Sequence, residues 1–305
     1  MYTIKEYIKK PSLAFLAVVL RLAYFIPDKT YLKIVFRLMM GRRLNLKEPK
    51  TFNEKLQWLK LYNRNPVYSM MVDKYAVKDY ITKTIGNEYV TPTIGIWDKT
   101  EDIDWNSLPN QFVLKTTHGG GSSGVIICKD KTVFDKHKAI EKLNLSLHQD
   151  IYRQYREFPY KDVPKRIIAE CYIPHPNNMD DLPDYKFFCF DGEVKAILVA
   201  TDRHKVGEEV KFDFFDSEYN YLPFRQGHNH ANDIPPKPQS FVEMKQLASK
   251  LSRGIPHVRI DFYENNGRPL FGEITFFHFA GFVPFEPEKW DYTFGEWISL
   301  PEKRS

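Results

Sequence analysis

The feature that most constrains this chain is a late pair of β-rich runs, Val258-Arg259-Ile260-Asp261-Phe262 and Leu270-Phe271-Gly272-Glu273-Ile274-Thr275. Asn265-Asn266-Gly267 lies between them and is a hairpin turn signal, so the second run returns antiparallel beside the first. That pairing delivers Glu273 next to Asp261 on an otherwise apolar sheet. Like charges at that distance repel, and burial penalises both carboxylates. A divalent cation removes both penalties, and oxygen ligands of this kind suit Mg²⁺ carrying a nucleotide phosphate. The plainer alternative is two exposed strand residues in an ordinary hairpin.

A second stretch points the same way. Gln111 to Thr117 reads as a buried strand carrying one lysine, Lys115. His118-Gly119-Gly120-Gly121-Ser122-Ser123-Gly124 follows, and Val125 to Cys128 reads as another strand. A P-loop would need a lysine where Val125 stands. A dinucleotide fingerprint would need a helix after the glycines, where a strand is expected. What remains is a hairpin tip whose backbone N–H groups and serine hydroxyls can close over phosphates, a nest-type anion site. The alternative is a mobile surface hairpin.

Other elements follow from local signals. Thr51-Phe52-Asn53-Glu54 is a capping box that opens a helix through Leu61. Asp73 to Ile81 reads as a further helix with Lys74 and Lys78 on one face. Residues 135–157 read as helical, with Leu143, Leu145, Ile151 and Tyr155 among the core candidates. Arg166 to Ile173 is a strand carrying Glu170 and Cys171, and the Pro-rich segment 174–183 reads as a boundary between lobes. Asp191-Gly192 joins two β-rich arms in a hairpin. Phe241 to Leu251 is an amphipathic helix.

Charge is uneven along the chain. Residues 1–60 hold 13 Lys/Arg against 4 Asp/Glu, nine positive charges in excess, so with a total of +5 the remainder carries −4. The run 12–26 is the most apolar, yet fifteen residues make a helix of roughly 22 Å, short of the ~30 Å of a bilayer core. Lying on an anionic membrane face or packing on the body are the two expectations for this basic leader. Its charge sits beside apolar residues, which argues against nucleic acid as a partner. Three cysteines without metal spacing fit a reducing, cytoplasmic compartment, and His228-x-His230 offers a metal pair but reads rather as a surface loop.

Taken together, Lys115 on a strand, the glycine hairpin, Glu170 on a later strand and Arg-x-Asp…Glu-x-Thr resemble an ATP-grasp enzyme over roughly residues 70–285. Phe52-Asn53-Glu54-Lys55-Leu56-Gln57-Trp58, Asp73-Lys74-Tyr75, Asp184-Tyr185-Lys186-Phe187 and Glu273-Ile274-Thr275-Phe276 resemble its TupA-like branch, associated with bacterial surface polysaccharides and capsule. The resemblance implies an α+β fold of two lobes, with the nucleotide between antiparallel sheets and a helical segment in front. Its expected divisions are a leader 1–50, a helical region 51–110, a small lobe 111–178 and a large lobe 179–305. The cofactors implied are ATP and Mg²⁺.

The resemblance also assigns expected roles. Lys115 would contact the α and β phosphates, with Lys78, or else Lys74, as the second nucleotide lysine. Gly119, Gly120, Gly121, Ser122 and Gly124 would form the phosphate lid. Glu170 would bind the ribose or an adenine edge, with Cys171 to Ile173 supplying backbone contacts. Asp261 and Glu273 would hold Mg²⁺, with Thr275 where many members have asparagine. Arg259 would steady the transferred phosphoryl group, and Lys186 would meet phosphate or an acceptor carboxylate. The reaction implied is ATP-dependent ligation of a carboxylate to an amine, joining an amino acid to a uronic acid or amino sugar on a glycan. A nucleotide-sugar glycosyltransferase is the rival, since Asp102-Ile103-Asp104 formally matches its metal signature. A non-catalytic membrane-associated binding protein is the third reading.

Overall fold

The computed structural model describes residues 23–120, 124–174, 182–203 and 207–303. Most of the apolar run 12–26, and with it the expected leader helix, lies outside the described residues, as do Gly121 and Ser122. Among the described residues no helix is long and apolar enough to cross a membrane.

Helices lead the chain: α1 Asp28–Met40, α2 Phe52–Tyr62, α3 Val67–Val72 and α4 Val77–Thr84. The capping box forms as expected, with the Thr51 side chain accepting from Glu54 N–H and the Glu54 side chain accepting in return. The expected helix from Asp73 starts later. Asp73 Oδ1 accepts from the N–H groups of Tyr75 and Ala76, so a turn precedes α4 and Lys74 sits in that turn. Lys74 and Lys78 therefore do not share a helix face.

The first sheet is antiparallel, in the order β1 (Thr93–Trp97), β4 (Ile167–Cys171), β2 (Phe112–Thr116), β3 (Val125–Cys128). Helices α5 (Lys136–Leu147) and α6 (Ile151–Tyr155) intervene before β4. Asp150 caps α6 and breaks the expected single helix in two. Leu145 points out, 73% exposed, and Tyr155 is also exposed; they do not belong to the core.

The second sheet is also antiparallel. β5 (Asp184–Phe190), β6 (Glu193–Thr201), β7 (Lys211–Asp216) and β8 (Tyr221–Leu222) follow in sequence, and β10 (Val258–Asn265) and β11 (Arg268–Thr275) extend the sheet beyond β5. β9 (Arg225–Gln226) pairs instead with β12 (Phe285–Glu286). Both expected hairpin turns use left-handed backbone: Asp191 and Gly192 at φ 47 and 85, Asn266 and Gly267 at φ 51 and 71. β5 is buried along its whole length, because α7 (Phe241–Leu251) covers it and the C-terminal helix α8 (Lys289–Glu296) presses Phe294 against Phe188. The main core joins this sheet to α1 through α4, while a smaller cluster around Phe112, Leu114 and Leu143 underlies the first sheet.

Candidate active site

The late hairpin assembles a row of charges. Residue pairing puts Lys186 of β5 opposite Asp261 of β10, and Asp261 opposite Glu273 of β11. Side chains directly opposite in a sheet share a face, so the three line up. Arg259 and Thr275 are likewise paired, one step along the same face. After Asp261–Glu273 the register slips, with Phe262 opposite Phe271. Gly272 is the extra residue of this bulge, a device that re-aims the neighbouring side chain. A Cβ on Gly272 would come within 3.1 Å of the Asp261 carbonyl.

Arg259 ties the row together. Its Nε donates to Asp261 Oδ1 and its Nη2 to Asp261 Oδ2, both at 2.7 Å. Nη2 also reaches Glu273 Oε1 at 3.0 Å and Thr275 Oγ1 at 3.1 Å. Lys186 Nζ donates to Asp261 Oδ2 at 2.6 Å and to Asp184 Oδ2, which Arg203 also contacts. Asp261 is thus buried, 1% exposed, with both oxygens engaged. Burial pushes its carboxyl up, against the pull of Arg259 and Lys186. Glu273 is different: its side chain is 30% exposed, and among the described residues the ion pair of Oε2 is with Lys74 Nζ at 3.8 Å. Burial opposes its charge, yet Lys74 and Arg259 hold its carboxyl well below the usual carboxylate range.

On the facing sheet, Glu170 of β4 and Lys115 of β2 are diagonal neighbours on one face. Glu170 Oε2 lies 2.5 Å from Lys115 Nζ, and Oε1 lies 2.5 Å from Lys78 Nζ of α4. Lys78 Nζ also donates to the Thr91 carbonyl at 2.7 Å and Thr93 Oγ1 at 2.9 Å. Burial disfavours the Glu170 charge, but Lys115 and Lys78 outweigh it and lower its pKa. Burial also opposes the charge on Lys115, and Glu170 turns that balance into a raised pKa.

Between the two sheets lies a cleft of about 710 Å³, part of it open to solvent. Lys115, Glu170, Cys171 and Ile173 line it from the first sheet's side, and Arg203 and Tyr263 from the second's. Lys74 crosses from one side to the other: its ammonium contacts the Gly119 carbonyl as well as Glu273. Its backbone N–H donates to the Thr117 carbonyl at 3.0 Å. The feet of the glycine hairpin close over one hydroxyl pair, Thr116 Oγ1 and Ser146 Oγ at 2.7 Å. A Cβ on Gly119 would meet Thr116 Oγ1 at 2.4 Å, and one on Gly124 would meet Ser146 Oγ at 2.3 Å.

Of the expected residues, Lys115, Glu170, Cys171 and Ile173 line this cleft. Lys78 adjoins it through Glu170, and Lys74 instead joins Glu273 of the charged row to the Gly119 carbonyl. Sequence reading missed Arg203, Tyr263, Asp184 and His278. Arg203 and His278 stand in irregular segments with no periodic signal, whereas Asp184 opens the Asp184-Tyr185-Lys186-Phe187 motif, in which local sequence assigns it no role. It also missed what the Phe52…Trp58 motif does. Gln57 Nε2 donates to the carbonyls of Ala280 and Gly281 at 3.1 and 2.9 Å, and Lys60 Nζ to Ala280 at 2.7 Å. Phe279, Ala280 and Gly281 are all left-handed, at φ 49, 53 and 65. Helix α2 thus bolts down a strained turn that begins just after Thr275 and carries His278. Asp104 of the formal Asp-x-Asp match accepts from the N–H groups of Asn106 and Ser107, an ordinary turn role, and Ile103 between the two acids is buried. His228 packs on Phe212, and His230 contacts Asp213; among the described residues no group of three or more His, Cys, Asp and Glu forms a metal cluster.

Two antiparallel sheets facing across a lysine- and carboxylate-lined cleft make this an ATP-grasp fold. Within it, the chain belongs to the TupA-like ATPgrasp family, whose model matches residues 54–299. No curated protein matches the sequence. Similar solved structures include D-alanine–D-alanine ligase from Bacillus anthracis, with 21% identity over 68% of this chain and 57% of that one, and a TM-score of 0.38. The corresponding ligase from Helicobacter pylori shares 14% identity over 82% and 69%, with a TM-score of 0.43. An L-amino acid ligase from Bacillus licheniformis shares 15% over 84% and 57%, with a TM-score of 0.46. The chain spans little more than half the length of the first and third of these.

Proposed function

We propose that this protein is an ATP-dependent carboxylate–amine ligase that joins an amino acid to a uronic acid or amino sugar of a cell-surface glycan. The observation that carries the reading is the cleft itself. Lys115 and Glu170, backed by Lys78, line one wall, and the sheet that supplies Tyr263 to the other wall also carries Arg259, held by two carboxylates. Cationic side chains pre-positioned by carboxylates suit a reaction whose barrier is mostly charge and alignment.

The donor carboxylate attacks the γ-phosphorus of ATP, forming an acyl phosphate and releasing ADP. The acceptor amine then attacks the acyl carbon, phosphate leaves, and the nitrogen loses a proton to give the amide. The nucleophile is already ionised at pH 7, so the first step needs no base. Lys115 and Lys78 would bind the nucleotide phosphates as point charges. Arg259 would face the charge that builds on the transferred group. Gly119, Gly120 and Gly124, with Gly121 and Ser122 between them in sequence, would offer backbone N–H groups from the lid. The segment Glu170 to Ile173 would meet the ribose and base, and Lys186 would act beneath Asp261.

Mg²⁺ fits the donor set by chemistry, since Glu273, Thr275 and Asp261 offer hard oxygen ligands on one face. Glu273 Oε2 is the best placed of these, since its ion pair with Lys74 is long, at 3.8 Å. Asp261 would have to share oxygens that Arg259 and Lys186 now hold. Bound there, the ion would offset phosphate charge.

ADP release tests the reading directly. Amino acids are screened against uronic-acid and amino-sugar acceptors, with Lys115→Ala alongside. ADP release that requires both substrates, and that the variant lacks, is expected. Transfer of sugar from a nucleotide sugar without ATP would overturn it.

A further inference from the structure

Helix α1 buries one face and leaves a differently built face beside it. Tyr31, Leu32, Val35 and Phe36 enter the core, so the apolar side of this helix packs on the body of the protein. The residues next round the helix are Lys33 and Arg37, four apart, and Ile34 and Leu38, also four apart. Arg43 and Leu44, after the left-handed turn at Gly41, form the opposite wall. These six residues line a groove of about 880 Å³, shared with open solvent.

Its make-up is unusual. Ile34, Leu38 and Leu44 supply an aliphatic floor, and Lys33, Arg37 and Arg43 stand exposed at the rim. Among the described residues no acidic side chain lines it. Among the described residues none of the three cations has an ion pair or a side-chain hydrogen bond, whereas adjacent Arg42 is taken by Glu54 and Asp291. Just ahead of the helix, Tyr24 and Phe25 pack edge to face while remaining 69% and 78% exposed.

From this the geometry points to an anionic phospholipid surface as the occupant of this face. Headgroup phosphates pair with Lys33, Arg37 and Arg43, and acyl-chain carbons lie against Ile34 and Leu38. An acidic peptide or nucleic acid offers the charge but not the hydrocarbon that the aliphatic floor calls for. A lipid at the membrane edge offers both, and exposed aromatic side chains favour the same interface. This inference stands apart from the ligase reading and rests on residues that do not line the cleft.

Vesicle flotation of the full chain tests it. Phosphatidylcholine vesicles are compared with phosphatidylcholine–phosphatidylglycerol vesicles, at low and high salt. The wild type is expected to float only with the anionic vesicles and to be released by salt. Each of Lys33→Ser, Arg37→Ser and Arg43→Ser is expected to weaken binding roughly fivefold, and the triple variant on the order of 100-fold. All three positions are exposed, so an unchanged Tm and an unchanged Mg-ATP response check the fold of the variants. A triple variant that floats like the wild type would assign binding to another part of the chain, residues 1–22 included, and overturn the inference. A wild type that ignores phosphatidylglycerol, or that soluble glycerol phosphate displaces as readily as lipid does, would overturn it as well.

Discussion

Arg259 donates through Nη1 to Nδ1 of His278 at 2.6 Å. A guanidinium has no acceptor, so Nδ1 of the imidazole accepts and the ring carries its proton on Nε2. Burial, with Arg259 and Lys186 nearby, holds His278 well below the usual histidine range and keeps it neutral. Nε2 is buried without a partner among the described residues. The ring thus aims Arg259 at some cost to its own hydrogen bonding.

His278→Phe is accordingly expected to separate function from stability. Phe188 and Phe279 already pack around this ring, so phenylalanine fits its surroundings and removes an unpaired polar atom. Losing the acceptor of the buried Arg259 Nη1 opposes that gain, so Tm should fall only modestly, and the Mg-ATP shift should remain. ADP release should fall roughly 10–100-fold, as when an outer-shell partner is lost. Unchanged turnover in the variant would mean that His278 only fills space.

Glu170 gives the clearest pH signature. Burial works against its charge, but Lys115 and Lys78 bring its folded pKa below the ordinary 4.5. A depressed acid contributes stability above its unfolded pKa and loses it as pH falls through the folded value. Wild-type Tm should therefore drop more steeply below about pH 4.5 than that of Glu170→Gln. The gap between the two should be widest near neutrality. Parallel acid limbs in the two melting curves would contradict the ion-pair geometry.

The lid hinge is sterically tight. Gly124→Ala would push a methyl group to 2.3 Å from Ser146 Oγ and 2.8 Å from Thr116 Oγ1. That overpacking should cost about 1–3 kcal/mol in a urea melt. Gly207→Ala, with nothing within 4 Å, serves as a contrast whose only strain is backbone, at φ 84. A Gly124→Ala protein as stable as wild type would mean that the hairpin feet do not close on this hydroxyl pair.

Lys60 is fully buried, and its ammonium donates to Gln57 Oε1 and to the carbonyls of Tyr155 and Ala280. It also lies 4.5 Å from the centre of the Phe282 ring. Lys60→Met leaves the Tyr155 carbonyl without this donor and loosens the turn that carries His278. A loss of about 1–3 kcal/mol is expected, with ADP release falling too. Unchanged turnover at reduced stability would confine Lys60 to packing.

Much of this architecture was legible in the chain because local chemistry and long-range pairing agree. The Asn266-Gly267 and Asp191-Gly192 turns, the Thr51 cap and the Asp261–Glu273 pairing each follow from short-range signals that the tertiary fold preserves. Lys74 was harder. Its spacing from Lys78 suggests a shared helix face, but the Asp73 side chain caps the backbone first and sends the two lysines to different partners. The charge of Asp261 could be read but not its neutralisation, because Lys186 and Arg259 reach it across strands whose register no local pattern fixes. Leu145 stands two residues from buried Leu143 within α5, about 200° round the helix, and so faces out although it is as apolar as its neighbour. His278 and Arg203 left no signal, since irregular backbone delivers them.

Thermal denaturation with added Mg-ATP, for wild type and Lys115→Ala, bears most directly on the nucleotide cleft, because a ligand that binds the folded state raises Tm. The wild type should gain Tm with Mg-ATP and not with UDP-sugars, and Lys115→Ala should melt cooperatively, from a Tm lowered by the broken Glu170 pair, without that gain. A wild type indifferent to Mg-ATP but stabilised by UDP-sugars, or a Lys115→Ala protein that responds in full, would contradict the account.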